Sequence, residues 1–138
     1  MTSVLTADKW LYAKLTGDGT LIGLIGNRVY TEIAKEGAAF PLIVMQQLPG
    51  SGPLMGVGTA VIWFDELWLV KGIDKSKSYS TLGTIINQVR AVLHGASGTV
   101  SGSGTVVGCV EEAVIRYSEL LDGVQYRHLG MEFRVWTQ

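Results

Sequence analysis

Residues 21–44 read Leu-Ile-Gly-Leu-Ile-Gly-Asn-Arg-Val-Tyr-Thr-Glu-Ile-Ala-Lys-Glu-Gly-Ala-Ala-Phe-Pro-Leu-Ile-Val, and the fold turns on how they are parsed. Leu21 to Ile25 forms a short apolar helical turn that Gly26 closes. Val29, Thr31 and Ile33 then alternate with Arg28, Tyr30 and Glu32, the period-two pattern of a half-buried strand. Lys35 to Ala39 is a polar connection. Pro41 opens an aliphatic strand running through Leu48, since proline suits a strand start or an edge.

Upstream, Ala7, Leu11 and Leu15 recur at helical spacing behind Thr6, read as an N-cap, with Asp8 in the first turn and Gly17 as the stop. Downstream, Pro49-Gly50-Ser51-Gly52-Pro53 and on to Gly58 reads as a flexible loop. Thr59 to Lys71 is a strand apolar on both faces, with Trp63, Phe64 and Trp68. Such a strand is either sandwiched within one protomer or presented to a neighbour. From Ser78 or Ser80, residues Tyr79, Leu82, Ile86, Val89 and Leu93 repeat at steps of three and four, widened by Ile85 and Val92. That is the strongest helix in the chain, and Gly95 ends it. Positions 95–108 form a Gly/Ser/Thr/Val connection, and Val110 to Tyr117 reads as a strand. Asp122-Gly123 marks a turn. In the last strand Leu129, Met131, Phe133 and Val135 alternate with His128, Gly130, Glu132, Arg134 and Trp136. The terminal strands should pair as a hairpin. The expectation is one α+β domain over residues 1–138: a mainly antiparallel sheet, one long helix on a face, and a short N-terminal helix.

Composition narrows function. The chain has 138 residues, 11 basic and 12 acidic, so its net charge of −1 supplies no electrostatic footprint for nucleic acid or an anionic membrane. Charged residues are only 17%, against about 25% in an ordinary domain. A small protomer normally clothes a large relative surface in charge, so this one is expected to bury surface against other subunits. A single cysteine, Cys109, permits neither an internal disulfide nor a cysteine-based zinc site, and reads as a small buried hydrophobe. No apolar run approaches the ~18 residues of a bilayer span. The chain is therefore read as soluble and made in the cytoplasm.

No catalytic constellation emerges, and no enzyme, cofactor or metal is expected. His94 reads as a helix C-terminal residue and His128 as a solvated residue on the polar face of a strand. The glycines at 50–58 and 102–108 lack the spacing and the following helix of a phosphate cradle. Asp65/Glu66 and Glu111/Glu112 are adjacent in strands, so their side chains diverge and suit surface or inter-subunit ion pairs better than one shared metal. Lys71, Lys75 and Lys77 are diluted by Asp74 and lack a stacking platform for nucleic acid.

The order of helix, apolar turn, Gly26-Asn27-Arg28-Val29-Tyr30, polar stretch, then Phe40-Pro41 and an aliphatic strand resembles the tail-completion or tail-terminator proteins of long-tailed bacteriophages. Arg28, Val29, Tyr30, Phe40 and Pro41 are the matching positions, as fold markers. The resemblance implies a structural virion protein in the tail neck. It would form a ring with copies of itself, expected to be hexameric, capping the tail tube protein and meeting the head–tail connector protein. It implies no catalytic residue. For subunit contact the candidates are Trp63, Phe64 and Trp68, then Trp136, because aromatics dominate interface energetics. Two other readings stand beside it: a small-molecule-binding or enzymatic α+β domain with its site under the glycine loops, and a protein-binding adaptor unrelated to phages.

Overall fold

The structure, a computed structural model, describes residues 3–55, 58 and 61–138. Three helices, α1 (Thr6–Gly17), α2 (Gly19–Ile25) and α3 (Ser80–Leu93), accompany six strands: β1 (Val29–Thr31), β2 (Leu42–Met55), β3 (Val61–Asp74), β4 (Gly98–Val100), β5 (Gly104–Leu121) and β6 (Val124–Thr137). The strands form one sheet in the order β1-β2-β3-β6-β5-β4, antiparallel except where β1 runs parallel to β2. The architecture is α+β, as expected.

The helices share one face of the sheet. Ala7, Trp10, Leu11 and Leu15 of α1, Leu21 and Ile25 of α2, and Leu82, Ile85, Ile86, Val89 and Leu93 of α3 form a core with Ile43, Met45, Trp68, Val70, Met131, Phe133 and Val135. These strand positions recur at every second residue because successive side chains leave opposite faces of a strand. Burying a large side chain of this kind stabilises the fold by roughly 1.5–3 kcal/mol. Gly72 lies under α3, where a Cβ would meet Leu82 at 2.8 Å, so the missing side chain lets the helix sit close. Asp18 caps α2 by accepting the Leu21 N–H at 3.0 Å and also accepts from Gln88 of α3 at 3.0 Å, tying the two helices together. Thr6 lies inside α1 rather than capping it; its hydroxyl sits 3.0 Å from that of Ser103, so it anchors the helix to the turn between β4 and β5.

Several expectations need correction. The stretch from Pro49 is not a loop up to Gly58: β2 continues through Met55, and Gly56 and Val57 lie outside the described residues. Between Leu48, opposite Leu67, and Gly52, opposite Asp65, the register shifts. The irregularity accommodates Pro49, which has no N–H to give the ladder. The start placed at Thr59 also falls outside the described residues, and β3 is described from Val61 to Asp74. The 95–108 connection contains β4 and the start of β5, closed by a tight turn at Ser101–Ser103. The strand begun at Val29 stops at Thr31, and Ile33 is exposed. Asp122 and Gly123 both have positive φ (50° and 76°), the backbone a two-residue hairpin of type I′ demands, and the terminal strands pair around them.

Strand β5 carries register shifts between Val106 and Gly108 and between Glu111 and Ala113. An inserted residue changes which parity faces the helices. Val106 and Cys109 are therefore both in the core, whereas Arg116 reaches Tyr79, at the N-terminus of α3, from the same side of the sheet.

Candidate assembly surface

The two long hairpins overrun the sheet at opposite ends. Thr137, the last residue of β6, stands opposite Phe64, so the β2–β3 hairpin continues past it. At the other end Asp74 of β3 stands opposite Arg127, and β5–β6 continues alone through Tyr126 and Gln125 to the Asp122–Gly123 turn. On this second arm Leu120 is 71% exposed, with Leu121 and Val124 also exposed, and Val114 and Tyr117 are exposed further back along β5. Sequence reasoning missed these residues, although two leucines and a valine pressed against an Asp-Gly turn are an unusual dressing for a solvated hairpin tip.

The outer edges of the sheet differ. Strand β4 covers β5 only over Gly104–Val106, and the Cys109 carbonyl and Glu111 N–H are taken up by Gly95 and by His94 Nδ1. From Glu112 to Leu121 no strand flanks the outer side of β5 among the described residues. That edge has no proline to blunt it, and an open edge is a template for pairing with another chain. On the opposite edge β1 covers β2 at Ile43–Met45, and Pro49 and Pro53 interrupt the donors beyond.

The predicted contact residues separate. Trp68 is a correction: at 4% exposed it belongs to the core beneath the helices, because its parity in β3 matches that of Val70. Trp63 and Phe64 are half-buried at the base of the β2–β3 arm. Trp136 is half-buried on the helix-free face, its indole lying over Gly108, where a Cβ would stand 3.2 Å from it. Asp65, paired with Trp136 in register, lies on that face as well.

The polar groups form intramolecular networks on both faces. Arg134 donates to Glu112 at 2.9 and 3.2 Å and to Asp65 at 3.1 Å, and these carboxylates hold its guanidinium pKa above the usual value. Arg90 pairs with Glu111 at 2.6 Å. The adjacent acids thus diverge as expected, but Glu66 is no surface residue: it is 3% exposed and accepts a long bond, 3.4 Å, from Trp68 Nε1. His128 is not solvated either. It is 4% exposed, its ring stacks on Tyr117 with centroids 4.4 Å apart, and Nε2 lies 2.7 Å from Glu119 Oε1. Burial outweighs the Glu119 bond and lowers its pKa, so at neutral pH the ring is neutral, donating from Nε2 and leaving Nδ1 as a buried acceptor without a partner among the described residues. Lys71 donates to the Tyr117 hydroxyl at 2.9 Å. This network orders the second face of the sheet, beside an apolar cavity of about 210 Å³ framed by Phe40, Leu42, Ile73 and Tyr126.

Cys109 is fully buried, and burial pushes its thiol up to about 12, so it is an inert apolar group rather than a nucleophile. It lies on the helix face, away from His128 on the other. His94 serves as the C-cap of α3 and accepts from the Glu111 N–H at 3.1 Å, the structural role expected of it. Among the described residues no group of three or more His, Cys, Asp or Glu side chains is placed to hold a metal ion, and no helix is long and apolar enough to cross a membrane.

No protein-family model matches the chain, and no curated protein matches it. Among solved structures, a chain in the virion of a native gene transfer agent (GTA) particle superposes with a TM-score of 0.73 at 18% identity, over 92% of this chain and 90% of that one. At that identity the likeness establishes a shared fold.

Proposed function

We propose that this chain is a structural component of a phage-like particle, and that it acts as a ring-forming tail terminator. The observation that carries the reading is the end-to-end correspondence with a chain of a gene transfer agent virion. The low charge content, the two projecting arms and the open β5 edge support the same reading, since each gives a protomer something to complete against a neighbour.

In this mechanism copies associate head to tail, and the rotation closes them into a ring, expected to be hexameric. Trp63 and Phe64 at one end and Trp136 on the helix-free face supply aromatic contacts. Leu120 and Leu121 on the other arm supply the apolar surface opposite. The closed ring caps the tail tube protein by occupying the edge onto which the next tube subunits would add, and offers its far face to the head–tail connector protein. Its place is the virion neck, and the work is steric, with no reaction or cofactor.

Light scattering on purified protein tests this. A discrete multiple of 14.9 kDa, with rings in negative-stain images, is the expected result. Single chains at all concentrations, alone and with tube protein, would refute it.

A further inference from the structure

Among the described residues, Glu66 is a buried carboxyl group whose oxygens are poorly satisfied. Its side chain projects from β3 toward the helix side, 3% exposed. Oε1 has one long bond, from Trp68 Nε1, and Oε2 is buried with no partner among the described residues. Leaving such a group unpaired costs a folded protein several kcal/mol in general terms. A protomer tolerates the cost where a ligand later repays it, which is why uncompensated buried carboxylates mark functional sites.

The surroundings point to the ligand. Glu66 is one wall of a cavity of about 220 Å³ whose other walls are Val4, Gln47, Gly52, Pro53 and Phe64. Val4 is largely exposed, so the cavity lies at the protein surface. Among the described residues no lysine or arginine lines it, and the charge sensed from α1 has the same sign: Asp8 adds to the burial that raises the Glu66 pKa. Glu32 and Lys9 in turn act on Asp8, in opposite directions. What the site lacks is a cation with N–H donors. Its remaining walls, Phe64, Pro53 and Val4, suit the aliphatic stem of a long basic side chain.

We infer that the Glu66 cavity receives a lysine or arginine side chain from a second copy of this chain. The occupant is a copy of the chain because Phe64, a residue assigned to the subunit contact, forms part of the wall. The inference rests on the ring reading above. The incoming ammonium or guanidinium donates to Oε2, converting a destabilising charge in the free protomer into a charge-assisted bond in the assembly. The device disfavours the isolated protomer and rewards closure.

The test compares the wild type with Glu66→Gln by light scattering across a dilution series, with thermal unfolding of each in dilute solution. Glu66→Gln should fold with a melting temperature equal to or above that of the wild type, while its assembly midpoint shifts to at least tenfold higher concentration. An unchanged midpoint in a wild type that does assemble overturns this inference alone. A wild type that never assembles overturns it together with the ring reading. Should Glu66→Gln fail to fold, the ¹³C carboxyl shift of Glu66 in the wild type decides instead. Its titration midpoint should fall on assembly, and a midpoint that stays put, or a basic partner found only on a different protein, overturns the proposal.

Discussion

Gly130 and Lys71 stand opposite each other in the β3–β6 ladder, so close that a Cβ on Gly130 would lie 2.6 Å from the Lys71 Cβ and 2.8 Å from its Cα. No side-chain rotation relieves such a contact, because the obstructing atoms belong to the backbone and its first carbon. The two strands come this close at this point only because residue 130 has no side chain. Gly130→Ala should therefore destabilise the protein by about 3 kcal/mol, the upper range for overpacking, despite the entropic gain alanine usually brings. Urea unfolding measures this; a loss below about 0.5 kcal/mol would mean that the strands move apart at little cost and the close approach is not fixed by this contact.

Trp68 and Trp136 should respond in opposite ways. Trp68 is packed among core residues, and truncation to alanine removes a large buried side chain at a cost of about 3–5 kcal/mol. Trp68→Arg would be worse, abolishing the folded far-UV spectrum rather than only dissociating an assembly. Trp136 is half-buried over Gly108, so Trp136→Ala should cost about 1 kcal/mol of protomer stability while weakening assembly. Circular dichroism and light scattering on the two variants separate fold from contact. Equal losses of folding in both would remove Trp136 from the assembly surface.

Much of the fold could be read before any coordinates. The stripe Leu82, Ile86, Val89 and Leu93, the closing glycines Gly26 and Gly95, and the Asp122–Gly123 turn all encode local geometry in local chemistry. What escaped depends on distant partners. Residues 49–53 are turn formers that extend as strand only because β3 offers a ladder beside them. Strand β5 lost its alternation to two register shifts. The burial of Glu66 and His128 was hidden for a third reason: alternation says which residues share a face, and only tertiary structure says which face is covered. The candidate aromatics were found, but Trp68 carried the wrong assignment for that same reason.

Leu120 offers the cleanest probe of the β5–β6 arm because it is 71% exposed and lies outside the core cluster. Leu120→Glu should leave protomer stability within about 0.5 kcal/mol of wild type. If the arm engages a neighbour, the same change should weaken assembly by about tenfold or more, equivalent to ~1.4 kcal/mol. Light scattering against concentration measures the shift. A midpoint that does not move would take the arm tip out of the contact and leave the open β5 edge or the opposite arm to close the ring.

His128 makes a signed prediction for pH. Its folded-state pKa lies below the ordinary histidine value of 6.5, chiefly through burial, with Lys71 acting in the same direction and Glu119 opposing. An unfolded chain therefore takes up a proton before the folded one does, so stability is fully present above about pH 6.5 and is lost as pH falls through the folded value. The slope for one such group is at most ~1.4 kcal/mol per pH unit. Glu66 and Asp8 act in the opposite sense, since their raised pKa values favour the folded state as acid protonates them, but their windows open upward from 4.5 and 3.8. The contribution of His128 is isolated by subtracting the profile of His128→Gln from that of the wild type between pH 7.5 and about 5.5. The difference should shrink as pH falls, because the wild type alone pays for charging a buried ring. A difference independent of pH would mean that the imidazole keeps the same proton affinity folded and unfolded, and that the Tyr117–His128–Glu119 network is looser than its 2.7 Å contact implies.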